Sequence, residues 1–224
     1  MEPIRLFDSF YADPLWVREA ALTGEFRSVP GGFQGQECRL PEMDIVAVMD
    51  RIASILGFPI EYFLERQGVF RSLTAVQERQ KLKQVHVDRM GFSGLLVLSD
   101  SYPFSKTGFY RHRDTGLFGV GDESALKRIA RRRGQSVREL LLNLNGDGND
   151  LSRWDLVDSV EYRFNRLIVF DSDRFHVAGA GVGSHLHDSK LTQNFNFYRL
   201  ERWKLWHRAR VNARSLRLDV RRPY

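Results

Sequence analysis

From about Leu73 onward the sequence breaks into short extended segments, and this punctuation limits the folds open to it. Val85–Asp88, Gly94–Leu98, Phe109–Arg113, Ser159–Phe164, Arg166–Phe170, Phe175–Ala178 and Lys190–Tyr198 read as strands, divided by clusters of Gly, Ser, Asp and Asn. Many short strands with such turns make a sandwich or a barrel. Upstream the period is helical. Asp13-Pro14 supplies an N-cap and a first helical position for a helix to about Thr23. Pro41 to Leu56 reads as a second helix, with Ile45, Val48, Met49, Ile52 and Ile55 on one stripe and Gly57 and Pro59 ending it. "VPGGFQGQE" (Val29–Glu37), between them, reads as turn-rich loop. Asp114 to Leu156 interrupts the strands with an insertion. Asp122 is placed to cap a helix over Glu123–Arg133, and Ser136 with Glu139 forms a capping-box pattern for another. The expected organisation is mainly β with flanking helices. It is one domain, with N-terminal helical support (1–70), a β core (71–200) holding the insertion (114–156), and a C-terminal segment (201–224).

Composition narrows the classes. In 224 residues, 42% are hydrophobic and 12% aromatic, enough for one real core. The single cysteine, Cys38, excludes an internal disulfide and a Cys-rich zinc site, and suits a reducing compartment. It has no nearby His or basic helix start and reads as inert. The opening "MEPIRLFDSFYADPL" contains no apolar core of a signal peptide, and no stretch is long and apolar enough to span a bilayer. A cytoplasmic location is expected. The net charge of +6 sits at one end. Arg199–Arg222 holds nine Lys/Arg and two Asp/Glu, which leaves 25 basic and 26 acidic residues elsewhere. Such a segment is either a solvated tail or a patch for an anionic partner, and no nucleic-acid recognition motif accompanies it.

Chemistry concentrates in three places. In "KQVHVDRMGFSGLLVL", His86 and Asp88 are two apart, so in an extended chain an imidazole and a carboxylate share one face. In "NRLIVFDSDRFHVAGAG", His176 stands between Phe175 and Val177, as either a core histidine or a ligand. Two histidines and one carboxylate make the facial triad that suits Fe(II) and leaves positions open. In "SKLTQNFNFYRL", Lys190, Thr192, Asn194 and Asn196 share one face, and Leu191, Gln193, Phe195 and Phe197 the other. A polar face on such a strand suggests a cavity wall. A buried ammonium beside a hydroxyl is a carboxylate receptor, though a strand-end lysine usually reaches solvent.

His-x-Asp, a distant His, then a basic residue with a hydroxyl two further on resembles the Fe(II)/2-oxoglutarate-dependent oxygenases. The resemblance covers about Val85 to Tyr198. "GFYRHRDTG" and "NRLIVFDSDRFHVA" are also similar to segments of a little-described bacterial subgroup of that superfamily. The resemblance implies a double-stranded β-helix, or jelly roll, with Fe(II) bound by His86, Asp88 and His176. It implies 2-oxoglutarate as co-substrate, held by Lys190 and Thr192, with O2 consumed and succinate and CO2 released. Many relatives have arginine where Lys190 stands, and a glycine where Thr107 stands. Halogenating relatives lack the carboxylate that Asp88 supplies, so hydroxylation is the expected outcome.

Tyr110 and His112 share one strand face. Turned inward they would line the pocket, Tyr110 by the co-substrate and His112 by the substrate; turned outward they pack. Arg174, His185 and Asn194 are further candidate substrate contacts. The insertion and the loop Gly179–Ser189 are the expected pocket walls. Their Lys127, Arg128, Arg131–Arg133, His185 and His187 favour an acidic or amphoteric small-molecule or peptide substrate, free or carrier-bound, unless they form a solvated face. His185 and His187 in "SHLHD" could pair on a metal but lack a third ligand. "NLNGDGND" is excluded as a calcium loop because position 12 is Trp154, not Glu. Two other functions stay open: a nucleic-acid-modifying oxygenase docking through its basic C-terminal segment, and a non-enzymatic jelly-roll binding module.

Overall fold

The computed structural model describes residues 3–28, 35–79, 84–88, 91–99 and 105–200. The basic segment from residue 201 on, and residues 29–34 of the turn-rich stretch, lie outside the described residues. The elements run β1 (Arg5–Phe7), α1 (Pro14–Leu22), β2 (Arg27–Ser28), β3 (Gln36–Cys38), α2 (Ile45–Leu56), β4 (Ile60–Glu61), β5 (Val69–Leu73), α3 (Ala75–Arg79), β6 (Phe92–Val97), β7 (Lys106–His112), α4 (Glu123–Arg132), α5 (Val137–Asp147), β8 (Trp154–Glu161), β9 (Leu167–Asp171), β10 (His176–Val177) and β11 (Lys190–Arg199).

Two antiparallel sheets form a jelly roll. The larger has the order β1-β9-β6-β11-β5-β3-β2, with β4 also pairing β11; the smaller is β10-β7-β8. β11 is the central strand, with Thr192 opposite Val97 of β6 on one side and Arg71 of β5 on the other. Its alternation is as the sequence implies. Leu191, Phe195 and Phe197 enter the core beneath α1 and α2, where they meet Val17, Ala21, Met49 and Ile52. Burying each of these large side chains contributes roughly 1.5–3 kcal/mol. The opposite face of the large sheet meets the small sheet through Val97, Ile168, Phe170, Phe109 and Val160.

The helices start where capping chemistry puts them. The Asp13 side chain accepts from Trp16 N, and Pro14 follows it. The second helix starts at Ile45 rather than Pro41, because Asp44 is the residue whose carboxylate caps Ala47 N. Gly57 ends it in the left-handed region, at φ 74°. The capping box of Ser136 and Glu139 is complete.

Three expectations change. Val85–Asp88 forms no ladder strand; a single bridge from His86 to His176 attaches it to the small sheet. Residues before Leu73 contribute β1 to β5 as well as helices. These strands are short and carry little alternation of their own, and they are recruited by the edges of the larger sheet. The insertion is not a pocket wall. Leu126, Ile129, Leu140 and Leu144 of α4 and α5 bury their apolar stripes on the outer face of the small sheet, against Trp154, Phe175 and Val177. Cys38 is buried, and burial pushes its thiol up to about 11, consistent with an inert residue. No helix among the described residues is long and apolar enough to cross a membrane.

Candidate metal centre

His86 and Asp88 project from the bridge segment, and His176 from β10. Val85 and Val87 turn the other way into the cluster beneath α4 and α5, as do Phe175 and Val177. The insertion buttresses this segment. Val85 N donates to Gly148 O at 2.8 Å, and Gln84 Nε2 to Asn145 O at 3.2 Å. Only glycine fits at 148, since a Cβ there would lie 2.5 Å from Val85 O. His86 and His176 exchange both backbone hydrogen bonds, at 3.1 and 3.0 Å, and their rings lie 4.4 Å apart.

Both imidazoles are held by the same device. His86 Nδ1 lies 2.9 Å from Gln84 O and His176 Nδ1 2.9 Å from Arg174 O. A carbonyl can only accept, so each Nδ1 carries a hydrogen, and the lone pair of the neutral ring is then the one on Nε2. Both Nε2 atoms face Asp88, at 3.6 Å from Oδ1 for His86 and 3.6 Å from Oδ2 for His176. That is beyond hydrogen-bond reach, so the three groups gather without satisfying one another. One ligand atom from each lies within 4.8 Å of the others. Among the described residues this is the cluster able to hold a metal ion.

Burial is the largest influence on the ionisation of both partners. It lowers His176 to about 4, with His86 acting the same way and Asp88 opposing. For Asp88 burial acts upward, but His176, His86, the Ser93 hydroxyl and Arg71 outweigh it and hold the carboxyl below its usual range. At neutral pH this leaves a neutral His176 imidazole beside a carboxylate, the protonation states that metal ligation requires. The donor set suits a divalent first-row ion such as Fe(II).

The cluster opens onto a cavity of about 510 Å³ between the sheets. Lys190, Thr192, Asn194 and Asn196 all line it, as the strand alternation implies. Lys190 is 3% exposed and donates to Gly179 O. Asn194 Nδ2 donates to Thr192 Oγ1 at 3.2 Å, which leaves the Thr192 hydroxyl hydrogen available to a ligand.

Four expected contacts do not reach this cavity. Tyr110 and His112 do share a face, but the outer one. On β7 it is Thr107 that lines the cavity and Phe109 that packs between the sheets. Tyr110 lies across Gly108 on the α4/α5 side, in a separate depression with Phe118, Val157, Asp158 and Arg174. His112 is buried against Trp154, bonded to Thr115 and Asp147. Arg174 stacks over the Phe109 ring and serves the centre only through its carbonyl. His185 is exposed in a turn that Asp188 caps, and His187, also exposed, gives its carbonyl to Arg18.

Sequence reading missed Arg71, Glu78, Ser93 and Thr107, all cavity-lining. Ser93 carried a signal: it is a lone polar side chain within an apolar strand, on the face that alternation turns toward β11's polar side chains.

Comparison with known proteins adds the following. A family described as "Family of unknown function (DUF6445)" matches residues 1–192. No curated protein matches the chain. The non-heme alpha ketoglutarate dependent carbocyclase SnoK from nogalamycin biosynthesis superposes with a TM-score of 0.51 at 12% identity, over 91% of this chain and 85% of that one. HygX from Streptomyces hygroscopicus, solved with nickel and 2-oxoglutarate bound, gives 0.49 at 12% identity over 88% and 83%. The SnoK likeness establishes the fold as that of the 2-oxoglutarate-dependent oxygenases.

Proposed function

The chain belongs to the DUF6445 family of unknown function, and we propose that it is an Fe(II)- and 2-oxoglutarate-dependent oxygenase that hydroxylates a small substrate. One observation carries this reading. His86, Asp88 and His176 converge at a cavity whose wall also presents a buried ammonium and hydroxyl, Lys190 and Thr192. The shared fold with SnoK supports it. His86, Asp88 and His176 would hold the iron, which when bound supplies the redox chemistry that activates O2. Overall, 2-oxoglutarate, O2 and a C–H bond give succinate, CO2 and a C–OH group.

The chain's own residues arrange this. Lys190 pairs with the distal carboxylate of 2-oxoglutarate in a setting that excludes water, where a charge-assisted bond is strong. Thr192 donates its hydroxyl hydrogen to the same group. Asp88 fills the position that a halide would need, which favours hydroxylation. Arg71 and Glu78 bring opposite charges to the cavity wall. Arg71 is oriented by Glu37 at 2.9 Å, and Glu78 by Gly181 N, also at 2.9 Å. That pairing fits an amino-acid-like substrate with one group of each sign.

The test is anaerobic. Fe(II) and then 2-oxoglutarate are added to the purified protein, and the visible spectrum is recorded. A weak metal-to-ligand charge-transfer band is expected. Lys190→Ala should weaken 2-oxoglutarate binding about 10- to 100-fold, the loss of a hydrogen bond to a charged group, while iron binding persists. Absence of a band and of retained iron would leave a jelly-roll binding module as the better reading.

A further inference from the structure

Asp88 does not stand alone on the bridge segment. Its Oδ2 accepts a hydrogen bond from Ser93 Oγ at 2.5 Å, and Ser93 Oγ lies 2.8 Å from Ser172 Oγ. An ionised carboxylate can only accept, so the single Ser93 proton goes to Asp88. Ser172 must then be the donor to Ser93, and the chain runs in one direction, from Ser172 through Ser93 to Asp88. Both serines are buried, Ser172 completely. Backbone bonds lock the same three segments: Asp88 N donates to Ser172 O and Ser172 N to Gly91 O, each at 2.9 Å. Ser172 sits in the turn that leads from β9 to His176. The hydroxyl chain therefore ties the carboxylate to the element that carries the distant histidine.

We propose that Ser93, oriented by Ser172, is a positioning residue that occupies one oxygen of Asp88 and so restricts it to one-oxygen metal ligation. This rests on the metal-dependent reading above. A carboxylate free to rotate can chelate a metal through both oxygens and take up a position that a co-substrate needs. A hydroxyl at 2.5 Å on Oδ2 orients the carboxylate and engages one of that oxygen's lone pairs.

The experiment compares wild type, Ser93→Ala, Ser93→Thr and Ser172→Ala as full-length proteins. Each is titrated with Co(II), and each is examined anaerobically with Fe(II) and 2-oxoglutarate. Ser93→Ala should bind Co(II) about 10-fold more weakly, within the range for outer-shell partners of a metal ligand, and shift the charge-transfer maximum. Ser93→Thr restores the hydroxyl and should recover both readouts. Ser172→Ala keeps the Ser93–Asp88 bond but frees its direction, and should produce a smaller shift of the same sign. A folded Ser93→Ala with wild-type affinity and an unshifted band overturns the inference while leaving the oxygenase reading intact. If Ser93→Ala fails to fold, an unshifted Ser172→Ala overturns it instead. A wild type that takes up no metal overturns both.

Discussion

The chain carries the pattern His-x-Asp twice, at His86-Val87-Asp88 and at His112-Arg113-Asp114, and the fold puts the two to opposite uses. His112 is a finished structural residue. Both ring nitrogens are engaged, Nδ1 with Thr115 Oγ1 at 2.9 Å and Nε2 with Asp147 Oδ2 at 3.1 Å, and the ring packs 4.7 Å from Trp154. Its neighbour Asp114 faces Arg153 instead. His86 and His176 each spend one nitrogen on a backbone carbonyl and turn the other toward Asp88 at 3.6 Å. Sequence spacing does not separate a ligand histidine from a packing histidine. What separates them is whether the second nitrogen is satisfied by the protein itself.

The sharpest way to break this comparison is metal affinity. Asp88→Ala or His176→Ala should lower Co(II) affinity by more than about 100-fold, beyond the effect of outer-shell partners, while His112→Ala leaves it within about 3-fold of wild type. Isothermal titration distinguishes these, and an equal loss in His112→Ala would erase the distinction. Stability should run the other way. His112→Ala removes a buried ring and its hydrogen bond to Asp147, so urea unfolding should show a loss of about 2–4 kcal/mol. His86→Ala, with 41% of its side chain exposed, should cost less than about 1 kcal/mol.

Acid sharpens the contrast further. Burial lowers both His112 and His176, the latter to about 4. The unfolded chain therefore takes up protons first, and stability falls as pH drops. The metal-free protein should hold its melting temperature above roughly pH 6.5, the ordinary histidine value, and lose stability between there and about pH 4. His112→Gln should remove part of that slope; an unchanged slope would show that His112 titrates normally. Thr115→Ala deletes one hydrogen bond to His112 and should cost about 0.5–1.5 kcal/mol in the same urea assay.

Much of the site was legible in the residue order. The alternation in "SKLTQNFNFYRL" placed Lys190, Thr192, Asn194 and Asn196 on the cavity wall and Phe195 and Phe197 in the core. Asp13, Asp122 and Ser136 announced their helices through caps whose chemistry is local. What was not legible depends on which face of the sheet the core lies. Tyr110 and His112 were correctly paired on one side of β7, but alternation cannot say whether that side meets the cavity or the insertion. The basic residues of α4 were likewise legible as a helix face, though not as one turned away from the cavity. Arg71 was hidden by length. In a five-residue strand, one charged side chain between Phe70 and Ser72 gives no period to read.

The bridge between His86 and His176 has one more consequence. It is a single contact between parts of the chain far apart in sequence, and the side chains meant to share an ion lie on either side of it. An ion bound by all three would act as a removable staple, closing a long loop and shrinking the freedom of the unfolded chain. Resistance to unfolding would then depend on free metal concentration, rising with the logarithm of that concentration above the dissociation constant. The protein's persistence would in this way report on the supply of the ion proposed for its chemistry.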